Sequence, residues 1–162
     1  MFQRKLIQRK LFRRKFIVVL VLALSLATLA QQKKRLLNLN EDGVAVQGYD
    51  VVAFFTDNKP VKGNVEFQSL FNGARYYFAN ADHKKLFDAS PAKYEPQFGG
   101  FCAYAVSQGY TAKIDVDAFQ IVDGRLILQY NKDIREKFNL DTPGNLKKAE
   151  KNWPEIVEKK GK

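Results

Sequence analysis

The sequence predicts a single α+β domain, with a small antiparallel sheet built from two hairpins and packed with several short helices. Asn72-Gly73 and Asp123-Gly124 each lie between two runs in which apolar and polar residues alternate, a pattern typical of a hairpin. Asn80 and Thr142 are helix-start signals that follow these hairpins. About 130 residues follow the N-terminal apolar run, enough for one domain with one core.

The strands follow from this alternation and from the residues that interrupt it. Both residues of an Asn-Gly or Asp-Gly turn tolerate positive φ, so each turn can reverse the chain within two residues. Residues 44–48 are predicted to be a short strand that ends in a turn, and residues 49–55 fit a strand or a helical turn equally. The predicted hairpin strands are 65–70 with 75–78 and 118–122 with 125–130.

The helices are predicted from their caps and their apolar faces. Asn80 caps a helix whose buried face is expected to consist of Leu86 and Phe87. Thr142 is expected to cap the last helix, which Pro154 would end after Trp153. The predicted helices are 81–89, 101–108, 133–138 and 142–153, with one further turn at 91–94.

The first thirty residues have the composition of an export signal. Seven Lys and Arg residues and no acid precede an apolar run over 16–29, whereas a bilayer-spanning helix needs about twenty residues. Small residues at 28 and 30 fit a cleavage site, and Arg13-Arg14 resembles a twin-arginine signal. We therefore predict a signal peptide over 1–30 and an exported protein, periplasmic or in the cell envelope. The alternative is an uncleaved anchor, the only membrane attachment expected.

Removing this segment changes the charge balance. The whole chain carries +10, but residues 31–162 hold 20 basic and 17 acidic residues, a net charge of +3. A balance this small, with scattered basic residues, predicts no nucleic-acid partner. Residues 31–43 are expected to form a loose leader, and 158–162 a solvated basic tail.

A series of separated motifs runs through residues 48–156. They are GYDVVAFFT at 48–56, YFANA at 77–81, PAKY at 91–94, PQFGGFCAY at 96–104, IVDG at 121–124, PGN at 143–145 and NWP at 152–154. Together they resemble the exported YHS-domain protein family, so that 44–157 is identified as a YHS-type domain. Some members of that family carry selenocysteine at the position matched by Cys102. The resemblance therefore implies redox or soft-metal chemistry at this residue.

The chain departs from related metal-binding modules of the YHS and TRASH type. Those modules hold metal through several cysteines, whereas here Ala79 follows Tyr77-Phe78 and only one cysteine is present. A metal role must therefore depend on Cys102, with His83 as the candidate second ligand. A thiolate paired with an imidazole favours copper or zinc.

Cys102 is the candidate catalytic residue. It follows Gly99-Gly100, which would let the backbone approach another group closely, and it is expected in the first turn of a helix, where the dipole would lower its pKa. A lone cysteine can form a sulfenic acid, a mixed disulfide or a metal thiolate. The alternative is a buried thiol that acts as a small apolar side chain.

Two further side chains are candidates beside it. His83, the only histidine, is expected on the surface next to Lys84 and Lys85, and is a candidate metal ligand or general base. Tyr104, two residues from Cys102, is the candidate cofactor-binding side chain. Paired carboxylates, phosphate-binding glycine loops and nucleophile-elbow serines are missing from the sequence, which argues against the common hydrolase and nucleotide-dependent classes.

The sequence favours an exported protein with thiol-redox or soft-metal activity centred on Cys102. Two alternatives stay open: a non-catalytic ligand- or partner-binding module of the envelope, in which Cys102 is structural, and an accessory of an envelope metal-transport or oxidase system. The sequence does not decide whether the chain is an enzyme.

Overall fold

The computed structural model describes residues 34–162, and it confirms the α+β class built from two hairpins and short helices. The predicted signal peptide over 1–30 lies outside these residues. None of the described helices has the length and apolar character needed to cross a membrane. In chain order the elements are α1 (Ala53–Thr56), β1 (Asn64–Phe71), β2 (Ala74–Phe78), α2 (Ala81–Ala89), α3 (Pro91–Tyr94), α4 (Ala103–Ser107), β3 (Asp115–Val122), β4 (Arg125–Gln129), α5 (Lys132–Asn139) and α6 (Thr142–Lys160), with 3-10 turns at Val46–Gly48 and Gln97–Gly100.

Both predicted hairpins form, and each makes its own two-stranded antiparallel sheet. Asn72 and Gly73 have φ values of 53° and 85°, and Asp123 and Gly124 have 49° and 71°. Positive φ at both positions is the requirement of the tight hairpin turn that the sequence predicted. The predicted strand at 44–48 is reduced to isolated bridges followed by a 3-10 turn.

Helix α2 is held to the domain by Phe87. This ring lies with its centroid 4.8 Å from that of Tyr76, 5.0 Å from Phe78 and 6.5 Å from Tyr94. The prediction that Leu86 shares the buried face is wrong, since its exposed fraction is 43%. Successive helical residues point about 100° apart, so the neighbour of a central buried residue turns away from the core.

The last helix is longer than predicted. Asp141 caps it by accepting a hydrogen bond from the Gly144 N–H, and the helix continues through Pro154 to Lys160. The predicted end before Pro154 is therefore wrong, because burial of Ile156 in the core holds the following turn in place. Residues 158–160 of the predicted basic tail belong to this helix.

The prediction of a loose leader is wrong for its described part. Backbone hydrogen bonds join Arg35 to Lys162 in both directions, and the Asn38 N–H donates to the Gly99 carbonyl at 2.8 Å. Gly99 has a φ of +60°, and a Cβ atom there would overlap the Leu36 carbonyl oxygen. The close approach that the glycines allow is therefore to the chain's own leader.

Candidate functional site

Cys102 is buried immediately before α4. Its exposed fraction is 1%, and the Sγ–H donates to Oε1 of Gln129 at 3.3 Å. Burial raises the pKa of the Cys102 thiol, and nearby backbone N–H groups only partly offset that effect. The expectation of a lowered thiol pKa is therefore wrong, because α4 has only five residues and desolvation outweighs its N-terminal dipole.

Gln129 is the side-chain hydrogen-bond partner of this thiol. Its Oε1 atom also accepts the backbone N–H of Tyr104 at 3.0 Å, which sets the orientation of the amide. Its Nε2 atom is buried without a hydrogen-bond partner among the described residues. Sequence reasoning did not single out Gln129, although a polar residue that ends the apolar run 126–128 is the signal that could have found it.

Tyr104 contacts the Cys102–Gln129 pair through its backbone N–H, which donates to the Gln129 amide. Its ring is half-buried and packs against both core clusters, one containing Cys102 and the other containing Phe98. The cofactor-binding role of Tyr104 stays a prediction.

The His83 side chain is mostly buried and is held by a hydrogen bond to a buried carboxylate. Its side chain is 13% exposed, and Nδ1 lies 2.7 Å from Oδ2 of Asp50, a fully buried carboxylate. The position follows from the predicted cap, because Asn80 Oδ1 accepts the His83 N–H and starts α2 there. The expectation of a solvent-facing histidine is wrong, since Asp50 is held below the ring.

Asp50 is fixed by the backbone as well as by the imidazole. Oδ1 accepts the N–H of Val52 at 2.8 Å, and Oδ2 accepts the N–H of Ala79 at 2.8 Å. A carboxylate only accepts, so the geometry assigns the Nδ1 proton of His83 to this bond. Asp50 was not among the candidate residues that the sequence indicated. An acid within the apolar run 49–55 was the available signal.

The other ring nitrogen faces polar groups at the end of α1. Nε2 of His83 lies 3.5 Å from Oγ1 of Thr56 and 3.9 Å from Oδ1 of Asp57. The Thr56 hydroxyl donates to Asp57 at 2.7 Å. We call Asp50, Thr56, Asp57 and His83 the His83 cluster. It combines a buried orienting carboxylate with an imidazole nitrogen near the surface.

The two predicted metal ligands have different partners. Cys102 bonds to Gln129 and His83 to Asp50, and no hydrogen bond links the sulfur to the imidazole. Across residues 34–162, no group of three or more His, Cys, Asp or Glu side chains is arranged to hold a metal ion. Comparison of the chain with family models, with curated proteins and with solved structures gives no match.

The raised pKa of Cys102 predicts a specific loss of stability in alkaline solution. An unfolded thiol ionises near pH 8.5, whereas the folded thiol keeps its proton to higher pH. Its contribution to stability is therefore complete below about pH 8.5 and is lost as the pH rises through the folded pKa. We expect the free energy of unfolding, measured with urea from about pH 8 upward, to fall more steeply for wild type than for Cys102→Ala. Parallel slopes would contradict this assignment.

Proposed function

We propose that this protein is an exported, non-catalytic binding module of the YHS type in which Cys102 is structural. The observation that carries the proposal is the burial of the Cys102 thiol. The residue is 1% exposed, and its Sγ–H donates a hydrogen bond to Gln129. Thiol-redox and thiolate-metal chemistry both need a thiolate that another molecule can reach. Burial acts against both requirements, because it raises the pKa of Cys102 and blocks approach.

The predicted export signal would place this module outside the cytosol. Outside the cytosol its partners would be components of the cell envelope, with metal-transport or oxidase systems as the expected class. The small net charge of residues 31–162 supports a protein or small-ligand partner over a nucleic acid.

Thiol-redox chemistry at Cys102 is the second candidate, and one observation favours it. Among residues 34–162 the buried Nε2–H of Gln129 finds no acceptor, although the amide oxygen of the same side chain lies 3.3 Å from the sulfur. A hydroperoxide would oxidise the thiol to a sulfenic acid and leave as an alcohol, or as water from hydrogen peroxide. The new oxygen on sulfur would offer Nε2 the missing acceptor. This route requires an opening of the core that admits the peroxide.

Alkylation of Cys102 decides between the two candidates. We expect iodoacetamide to modify the native thiol at least about 1,000-fold more slowly than the urea-unfolded thiol, because reaction then requires unfolding. The rate is measured by intact mass on the full chain. The control is Cys102→Ser combined with Ser90→Cys, which moves the only thiol to an exposed position. That control should react at similar rates folded and unfolded.

A native Cys102 that reacts within about tenfold of its unfolded rate would overturn the structural assignment, since tenfold corresponds to only about 1.4 kcal/mol of protection. It would favour the redox candidate.

A further inference from the structure

The Asp50–His83 pair has the arrangement found around metal-ligating histidines. Such a histidine donates one ring N–H to a carboxylate, which fixes the tautomer and makes the other nitrogen a better ligand. Here Nδ1 of His83 meets Oδ2 of Asp50 at 2.7 Å. Asp50 is itself held by backbone N–H groups and is fully buried. The other ring nitrogen, Nε2, is therefore held in a fixed orientation, where its nearest polar neighbour is the Thr56 hydroxyl at 3.5 Å.

The charge around this nitrogen favours a cation. With a neutral imidazole, Asp50 and Asp57 give the His83 cluster a formal charge of −2. Within residues 34–162, neither carboxylate has a lysine or arginine nitrogen within 4.0 Å, and their only ion-pair partner is His83. A divalent cation at Nε2 would balance both charges.

The distance between Nε2 and Asp57 fits two ligands of one ion. Zinc binds imidazole nitrogen at about 2.0–2.1 Å and carboxylate oxygen at about 2.0–2.2 Å, so two such ligands lie about 3.4 Å apart at a tetrahedral angle and about 4.3 Å at most. The observed separation is 3.9 Å. A small rotation of the partly exposed Asp57 side chain would reach the tetrahedral value.

We propose that the His83 cluster binds one divalent transition-metal ion of the zinc type, with Nε2 of His83 and a carboxylate oxygen of Asp57 as protein ligands. Asp50 is the positioning residue. Water or a donor from a partner completes the coordination, since only two side chains reach the ion. The metal site rests on the proposed binding function and names its ligand class. It places the ion at His83 and Asp57, whereas the sequence alone pointed to Cys102 and His83.

Zinc titration of the untagged full chain tests the site. Isothermal titration calorimetry is expected to show one Zn²⁺ per chain. Because His83 is the only histidine, its imidazole nitrogen signals in NMR can be assigned without ambiguity, and Nε2 should shift while Nδ1 keeps its proton. His83→Gln and Asp57→Asn should each weaken zinc binding by about 10-fold or more. Gln can still donate to Asp50, and Asp57 is partly exposed, so both variants should fold.

Two controls separate this inference from the proposed function. Asp88→Asn removes an exposed carboxylate of the same helix and should leave zinc affinity unchanged. Cys102→Ser should also leave it unchanged. Loss of zinc binding in Cys102→Ser would place the metal on sulfur and overturn both proposals. Undiminished binding in His83→Gln, or no binding by wild type, would overturn the metal site alone, and the alkylation result would still decide the role of Cys102.

Discussion

Asp50→Ala is expected to lower the free energy of unfolding by about 3–5 kcal/mol, because three hydrogen bonds to a fully buried carboxylate are lost together. The buried carboxylate accepts from the backbone of Val52 and Ala79 and from the ring of His83. Each buried donor left without an acceptor costs about 1–3 kcal/mol. Urea denaturation followed by circular dichroism measures the loss.

The matched control is Asp88→Ala. Asp88 also accepts hydrogen bonds from two side chains, Lys84 and Ser69, and these bonds lower its pKa, but it lies on the surface. Exposed ion pairs contribute at most about 1 kcal/mol. Equal losses for the two alanine variants would mean that Asp50 does not anchor the interior, and the orientation of His83 would then need another explanation.

Phe87→Ala is expected to lower the free energy of unfolding by about 3–5 kcal/mol, here through lost packing and not through lost hydrogen bonds. The Phe87 ring is 1% exposed and contacts the rings of Tyr76, Phe78 and Tyr94. Its removal leaves a cavity between α2 and the first hairpin. Thermal and urea unfolding should both show the loss.

Leu86→Ala is the control for this prediction. Leu86 is the neighbouring residue in the same helix, is 43% exposed, and should change the unfolding free energy by no more than about 0.5 kcal/mol. Alanine has a high helix propensity at both positions, so a loss of helix propensity does not account for the larger effect expected at Phe87. Similar losses would contradict the helix orientation described above.

The predictions that held depend on a few adjacent residues. Asn72-Gly73 and Asp123-Gly124 set their own backbone angles, and Asn80 caps the helix that follows it. These signals are local, so they act in any fold that tolerates the segment. They were enough to obtain the α+β class, both hairpins and the start of α2.

The predictions that failed depend on what packs against a residue. Nothing near His83 in sequence reveals that Asp50, 33 residues earlier, lies under its ring. In the same way, Gln129 reaches Cys102 only because β4 passes beside the start of α4. Burial and hydrogen-bond partners across such separations cannot be obtained from a single sequence by periodicity.

The sequence by itself determined the fold class and the turns, and it pointed to Cys102, His83 and Tyr104 as the candidate site residues. Only the tertiary structure decided their surroundings: it buried the sulfur against an amide and held the imidazole, itself mostly buried, over a buried carboxylate. The physical reason is that turn and cap preferences are properties of short segments, whereas desolvation and ligand geometry arise from groups that folding brings together from distant parts of the chain.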